Sequence, residues 1–141
     1  MNNVTPPPVI RSSSTSLGHN KRVIVVSVWQ VSFLEAAADE LDSLPALEQV
    51  AVQHAVEKLE ATGVRLPAPH CAPVKGIEGS WWELRPRRGN CPWRAIYTRI
   101  GADEFKIAAI APDGETSPRE FMRACLVAAE RLAKWKGNEG R

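Results

Sequence analysis

The chain has 141 residues and a mass of 15.5 kDa, 44% of them hydrophobic and 24% charged, with a formal net charge of +2. That is one domain's worth of ordinary globular sequence, which excludes disorder throughout, a collagen-like repeat and a disulfide-stapled miniprotein. Cys71, Cys91 and Cys125 form no close pair and argue against a zinc ribbon, and no apolar run approaches the ~20 residues of a bilayer span.

In chain order, residues 1–20 hold Pro6, Pro7 and Pro8 and a Ser/Thr run from Ser12 to Ser16, and are expected to form a disordered tail. Residues 23–29 are rich in β-branched side chains and read as a buried strand. Ser32 and Glu35 fit a capping box, which predicts a helix from Ser32 to about Ser43. Pro45 suits the first turn of a second helix over residues 45–62, ended by Gly63, with Leu47, Val52, Val56 and Leu59 as its apolar side. Residues 64–79, rich in proline and glycine, read as loop.

Residues 81–85 read as a strand with Trp82 and Leu84 on one face and Glu83 and Arg85 on the other. After an arginine-bearing loop come strands over 93–100 and 105–111, an antiparallel meander. A second capping box, Ser117 and Glu120, opens a last helix. Its stripe is Phe121, Ala124, Cys125, Ala128, Leu132 and Trp135, and Gly137 is its expected stop. The expected organisation is a tail at 1–20, one domain over 21–137 and a short tail at 138–141. The fold class is α+β: an antiparallel sheet with helices on its apolar face, the opposite face left for function.

Charge is sharply segregated. Residues 33–62 carry seven acids against Lys58, whereas residues 63–100 carry seven basic residues against Glu78 and Glu83. Such blocks point to two faces with two kinds of partner. No phosphate-cradling glycine loop, nucleophile elbow or histidine pair at metal spacing is present, so no metal or other cofactor is expected. The absence of a signal-peptide layout leads us to expect a cytoplasmic protein with no membrane contact. The remaining chemistry is arginine: Arg85, Arg87, Arg88, Arg94 and Arg99, interleaved with Trp81, Trp82, Trp93 and Tyr97. Arginine suits phosphate and aromatic faces suit bases, although a core of aromatics rimmed by solvated arginines accounts for the pattern equally well.

Residues 33–135 resemble the RelE/ParE superfamily of bacterial toxins, in its phage-derived HigB-like branch. The resemblance rests on a helical hairpin, then Leu66-Pro67 and Pro73-Val74-Lys75-Gly76, then Trp82-Glu83-Leu84-Arg85. Arg94 and Tyr97 in the next strand, the apolar strand at 105–111, and Pro118, Arg119, Glu120 and Phe121 opening the last helix complete it. It implies a RelE-like fold and a ribosome-dependent, metal-independent mRNA endoribonuclease, an mRNA interferase that inhibits translation. It also implies silencing by a cognate antitoxin, a small helix-turn-helix protein in this branch.

By position, Arg94 matches the strand arginine that contacts the scissile phosphate, and Arg85 a basic site on the preceding strand. Arg87, Arg88, Arg99 and Tyr97 would bind RNA, and Glu83 or Glu115 would serve as general acid or base. The chain departs from the family at residues 110–115, where a Lys-Lys motif is replaced by a stretch with no lysine and two acids. That departure keeps two other readings open: a non-catalytic ParE-like gyrase inhibitor, and a degenerate member that only binds RNA or a partner.

Overall fold

The computed structural model describes residues 10–14, 23–27 and 29–139. Strands β1 (Ile10–Ser14) and β2 (Val23–Ser27) pair antiparallel with each other as a two-stranded sheet. Two expectations change here. Residues 10–14, assigned from composition to a tail, form a strand. Residues 23–27 extend as expected, but they pair with β1 and contribute nothing to the main sheet. The rest of the expected tail, 1–9 and 15–20, and the C-terminal residues 140 and 141 lie outside the described residues.

The main sheet is built from β3 (Gln30–Phe33), β4 (Cys71–Val74), β5 (Trp81–Leu84), β6 (Trp93–Gly101) and β7 (Glu104–Pro112), in the order β3-β7-β6-β5-β4. The β4–β5–β6–β7 run is antiparallel, and β3 joins β7 in parallel. The meander at 81–112 is therefore as expected, with β4 added from a stretch that read as loop. The alternation of that strand is weak, and its Pro73 is tolerated because β4 is an edge strand.

Ser32 does not cap a helix. It lies in β3, where its hydroxyl accepts from Lys106 Nζ at 2.7 Å, and the Leu34 N–H continues the pairing by donating to Ile107 O at 2.9 Å. Helix α1 consequently starts three residues later than expected, at Glu35–Asp42. Pairing with a central strand satisfies backbone groups that a cap would have served. Helix α2 (Ala46–Thr62) follows Pro45 and ends at Gly63, whose φ of 59° is the left-handed stop predicted for it. Leu47, placed on the apolar side from spacing, is 84% exposed, and the buried side of α2 is Ala51, Val52, Ala55, Val56 and Leu59. Helix α3 (Pro118–Glu139) begins where its capping box predicted but runs through Gly137.

Both faces of the sheet are covered. On one, α1 and α2 bury Ala37, Leu41, Val52 and Leu59 against Leu84, Tyr97, Phe105 and Ile107. On the other, Cys125, Ala128 and Leu132 of α3 pack on Trp81, Ile96, Ala108 and Ala111. The expectation of one face free for function is therefore corrected. Strands 105–111 and 93–97 are apolar at nearly every position because each face meets a helix. What remains open is the end of the β5–β6 ladder, where the strands extend past α3.

Candidate active site

Antiparallel pairing brings the two arginines with the strongest sequence rationale together. Leu84 lies opposite Ala95, so Arg85 and Arg94 leave the ladder side by side. Between them stands the Glu83 carboxylate. Arg85 Nε is 3.4 Å from Glu83 Oε1 and Arg94 Nε is 3.5 Å from the same oxygen. Glu83 is nearly enclosed, its side chain 11% exposed, while those of Arg94 and Arg85 are 19% and 33% exposed. Arg94 Nη1 donates to Cys91 O at 3.1 Å and Trp93 O at 3.0 Å, which fixes the guanidinium against the loop between the strands. The contacts to Glu83 are long for a charge-assisted fork, and a guanidinium carries five N–H groups. The pair thus keeps donors for an incoming anion.

Asp113, at the exit from β7, is a member of this neighbourhood that sequence reasoning passed over. Its N–H donates to Pro92 O at 2.8 Å, and its Oδ1 accepts from the N–H groups of Glu115 at 3.0 Å and Thr116 at 2.8 Å. Those donors, that of Thr116 foremost, and the Arg94 charge hold its carboxyl below the usual range. The signal was present as an Asp-Gly turn just before a helix start. Beside Glu83, burial and the Glu83 charge push the Cys125 thiol up to about 11, so it is a neutral core group at physiological pH.

The other sequence-selected residues lie elsewhere. Tyr97 and Arg99 are three and five residues beyond Arg94, so alternation turns them to the α2 face. Tyr97 is 3% exposed and packs edge-on against Phe105, with centroids 5.4 Å apart. Arg99 stacks over Trp29 and donates to Gly101 O and Ala102 O. Both border a cavity of about 280 Å³ that also includes Trp82 and Cys71. They are not part of the Arg94 surface, which corrects their grouping as RNA contacts with it. Arg87 and Arg88 lie in the exposed loop and face α2, and Glu115 is exposed in the turn after β7.

Residues 39–107 match the family model for phage derived protein Gp49-like. Over that segment the chain is Gp49-like, and with it a member of the RelE-like toxin superfamily. The matched segment of this RelE-like chain runs from α1 into β7 and contains Glu83, Arg85 and Arg94. Two solved structures are similar in fold. One is an archaeal RelE–RelB complex from Pyrococcus horikoshii, with 22% identity, a TM-score of 0.48, and coverage of 61% of this chain and 96% of that one. The other is a mutant of the E. coli toxin RelE in the free state, with 15% identity, a TM-score of 0.38, and coverage of 68% and 96%. No curated protein matches the chain. No described helix is long and apolar enough to cross a membrane.

Proposed function

We propose that this RelE-like toxin is an mRNA interferase: a ribosome-dependent endoribonuclease that needs no metal, inhibits translation and is silenced by a cognate antitoxin, a small helix-turn-helix protein. The observation that carries the reading is the meeting of Arg85 and Arg94 on one enclosed carboxylate, Glu83. A paired-arginine site suits a phosphate, and an enclosed carboxylate beside it supplies a proton acceptor at the same atoms.

In this reading the scissile phosphate docks on the free N–H groups of Arg94 and Arg85. Glu83 takes the proton of the neighbouring 2′-hydroxyl, whose oxygen then attacks phosphorus. The bond to the 5′ oxygen breaks, leaving a 2′,3′-cyclic phosphate, and the departing oxygen takes a proton from water. Negative charge builds on the phosphorane, where the two guanidinium groups are already in place, and this preorganisation is the main source of rate. Glu115 lies outside the cluster, so Glu83 is the stronger acid–base candidate.

The test is inducible expression in a bacterial host with mapping of mRNA 5′ ends. Wild type should arrest growth and create 5′-hydroxyl ends inside translated frames, and co-expression of the antitoxin should relieve the arrest. Arg94→Ala and Glu83→Gln should each lower cleavage by about 10²–10³-fold while the circular dichroism spectrum stays native. Arrest with intact mRNA and poisoned DNA supercoiling would instead assign a gyrase-inhibiting role. Full cleavage by folded Arg94→Ala would sink the assignment.

A further inference from the structure

The tip of the β5–β6 hairpin carries a second cationic feature that the Glu83 cluster does not use. Arg87 and Arg88 lie against α2 and, with His54, Lys58, Ala51 and Ala55, line a recess of about 190 Å³. Ala51 and Ala55 are buried, and their small side chains leave the helix backbone close to whatever enters. His54 and Lys58 are one helical turn apart and so share a face of α2.

The charge pattern is the informative part. Helix α2 is otherwise acidic, carrying Glu48, Glu57 and Glu60. If Arg87 and Arg88 served only to neutralise it, they would pair with those carboxylates. Among the described residues no ion pair involves Arg87, Arg88 or Lys58, and His54 alone has an acidic neighbour, Glu57 at 3.9 Å. Like charges gathered without a counterion repel one another, and an anion of concentrated charge removes that repulsion.

We infer that this recess is a second phosphate-binding site for a nucleic acid strand, distinct from the Arg85–Arg94 pair. The loop starts at Arg85 and returns at Arg94, so the recess is one hairpin tip away from that pair, on the α2 side of the sheet. A polymer with one phosphate on the pair meets the recess by passing over the tip. Two adjacent arginines present planar forks that fit phosphate oxygens, and the contacts read no base. The inference rests on the ribonuclease reading for the identity of the polymer as RNA, and on the recess itself for the site.

The test measures fluorescence anisotropy of a short labelled single-stranded RNA of mixed sequence, 2′-O-methylated so that it is not cleaved, across a range of salt. Each phosphate contact on a single strand contributes about 0.7 to the slope of log affinity against log salt. Lys58→Ala, Arg87→Ala and Arg88→Ala combined should therefore lower the slope by about 2 and weaken binding about a hundredfold at about 0.1 M salt. Arg85→Ala with Arg94→Ala should leave that share of the slope in place. An unchanged slope in the triple variant, or no RNA binding by wild type, overturns the inference. Preference for poly-glutamate over RNA through the same residues assigns the recess to an acidic protein and overturns it too. Because the probe is uncleavable, the site stands even if no mRNA ends appear in cells, and it falls even if they do.

Discussion

Gly63 shows how a single residue ties a local rule to a tertiary one. As the stop of α2 it needs a positive φ, which spacing alone predicted. The structure adds a second reason: a Cβ at this position would fall inside the indole of Trp29. Trp29 is itself fixed by its N–H, which donates to Glu60 O at 3.0 Å, and by stacking on Phe105. We expect Gly63→Ala to cost at least about 2 kcal/mol through backbone strain plus the displaced indole, measured by urea unfolding. The same scale separates Arg94 from Arg99. Both were legible as phosphate-type residues, but Arg99 is committed to two carbonyls and an indole, whereas Arg94 keeps donors beside Glu83.

Elements meet at the open edge of β7. Strand β3 covers that edge only as far as Ile107, and the backbone groups beyond it are met by side chains from two helices. Glu40 Oε1 of α1 accepts from the Ile110 N–H at 3.0 Å, and Arg131 of α3 donates to Ala108 O at 2.9 Å. The two side chains close on each other, with Arg131 Nη2 to Glu40 Oε2 at 2.8 Å, so one ion pair caps the edge and ties the layers together. The bond from Glu40 raises the Arg131 guanidinium further above its ordinary value. Glu40→Ala leaves the Ile110 N–H unpaired and should cost about 1–3 kcal/mol, and a double-mutant cycle with Arg131→Met should show the two costs to be non-additive. Additive costs in thermal or urea melts would mean that each helix holds the edge independently.

For the whole molecule, the packing of helices on both faces sets the pH response. Burial, with the Glu83 charge adding to it, moves the Cys125 thiol from 9.0 to about 11, and burial raises Tyr97 as well. A raised value means that the folded state holds the proton more tightly than the unfolded chain. The contribution is therefore complete below about pH 9 and is lost as pH climbs from about 9 to about 11. We expect the melting temperature to fall over that window, and Cys125→Ala to flatten the fall whatever its own cost at neutral pH. An identical alkaline slope in the variant would remove Cys125 from the account.

The sequence by itself determined the meander, the second and third helices, the stop at Gly63 and the pairing of Arg85 with Arg94. These follow from periodicity, caps and the alternation of adjacent strands, which are local properties of the chain. It also carried enough pattern to place residues 39–107 in a RelE-like context before any coordinates. Only the tertiary structure decided that β3, and not residues 23–27, enters the main sheet, because that choice depends on which segment can reach the edge of β7. Only it decided that both sheet faces are buried, that Tyr97 and Arg99 turn away from Arg94, and that Arg87 and Arg88 meet Lys58 on α2. Those outcomes depend on contacts between residues distant in the chain, where packing and backbone pairing override any preference a short segment has of its own.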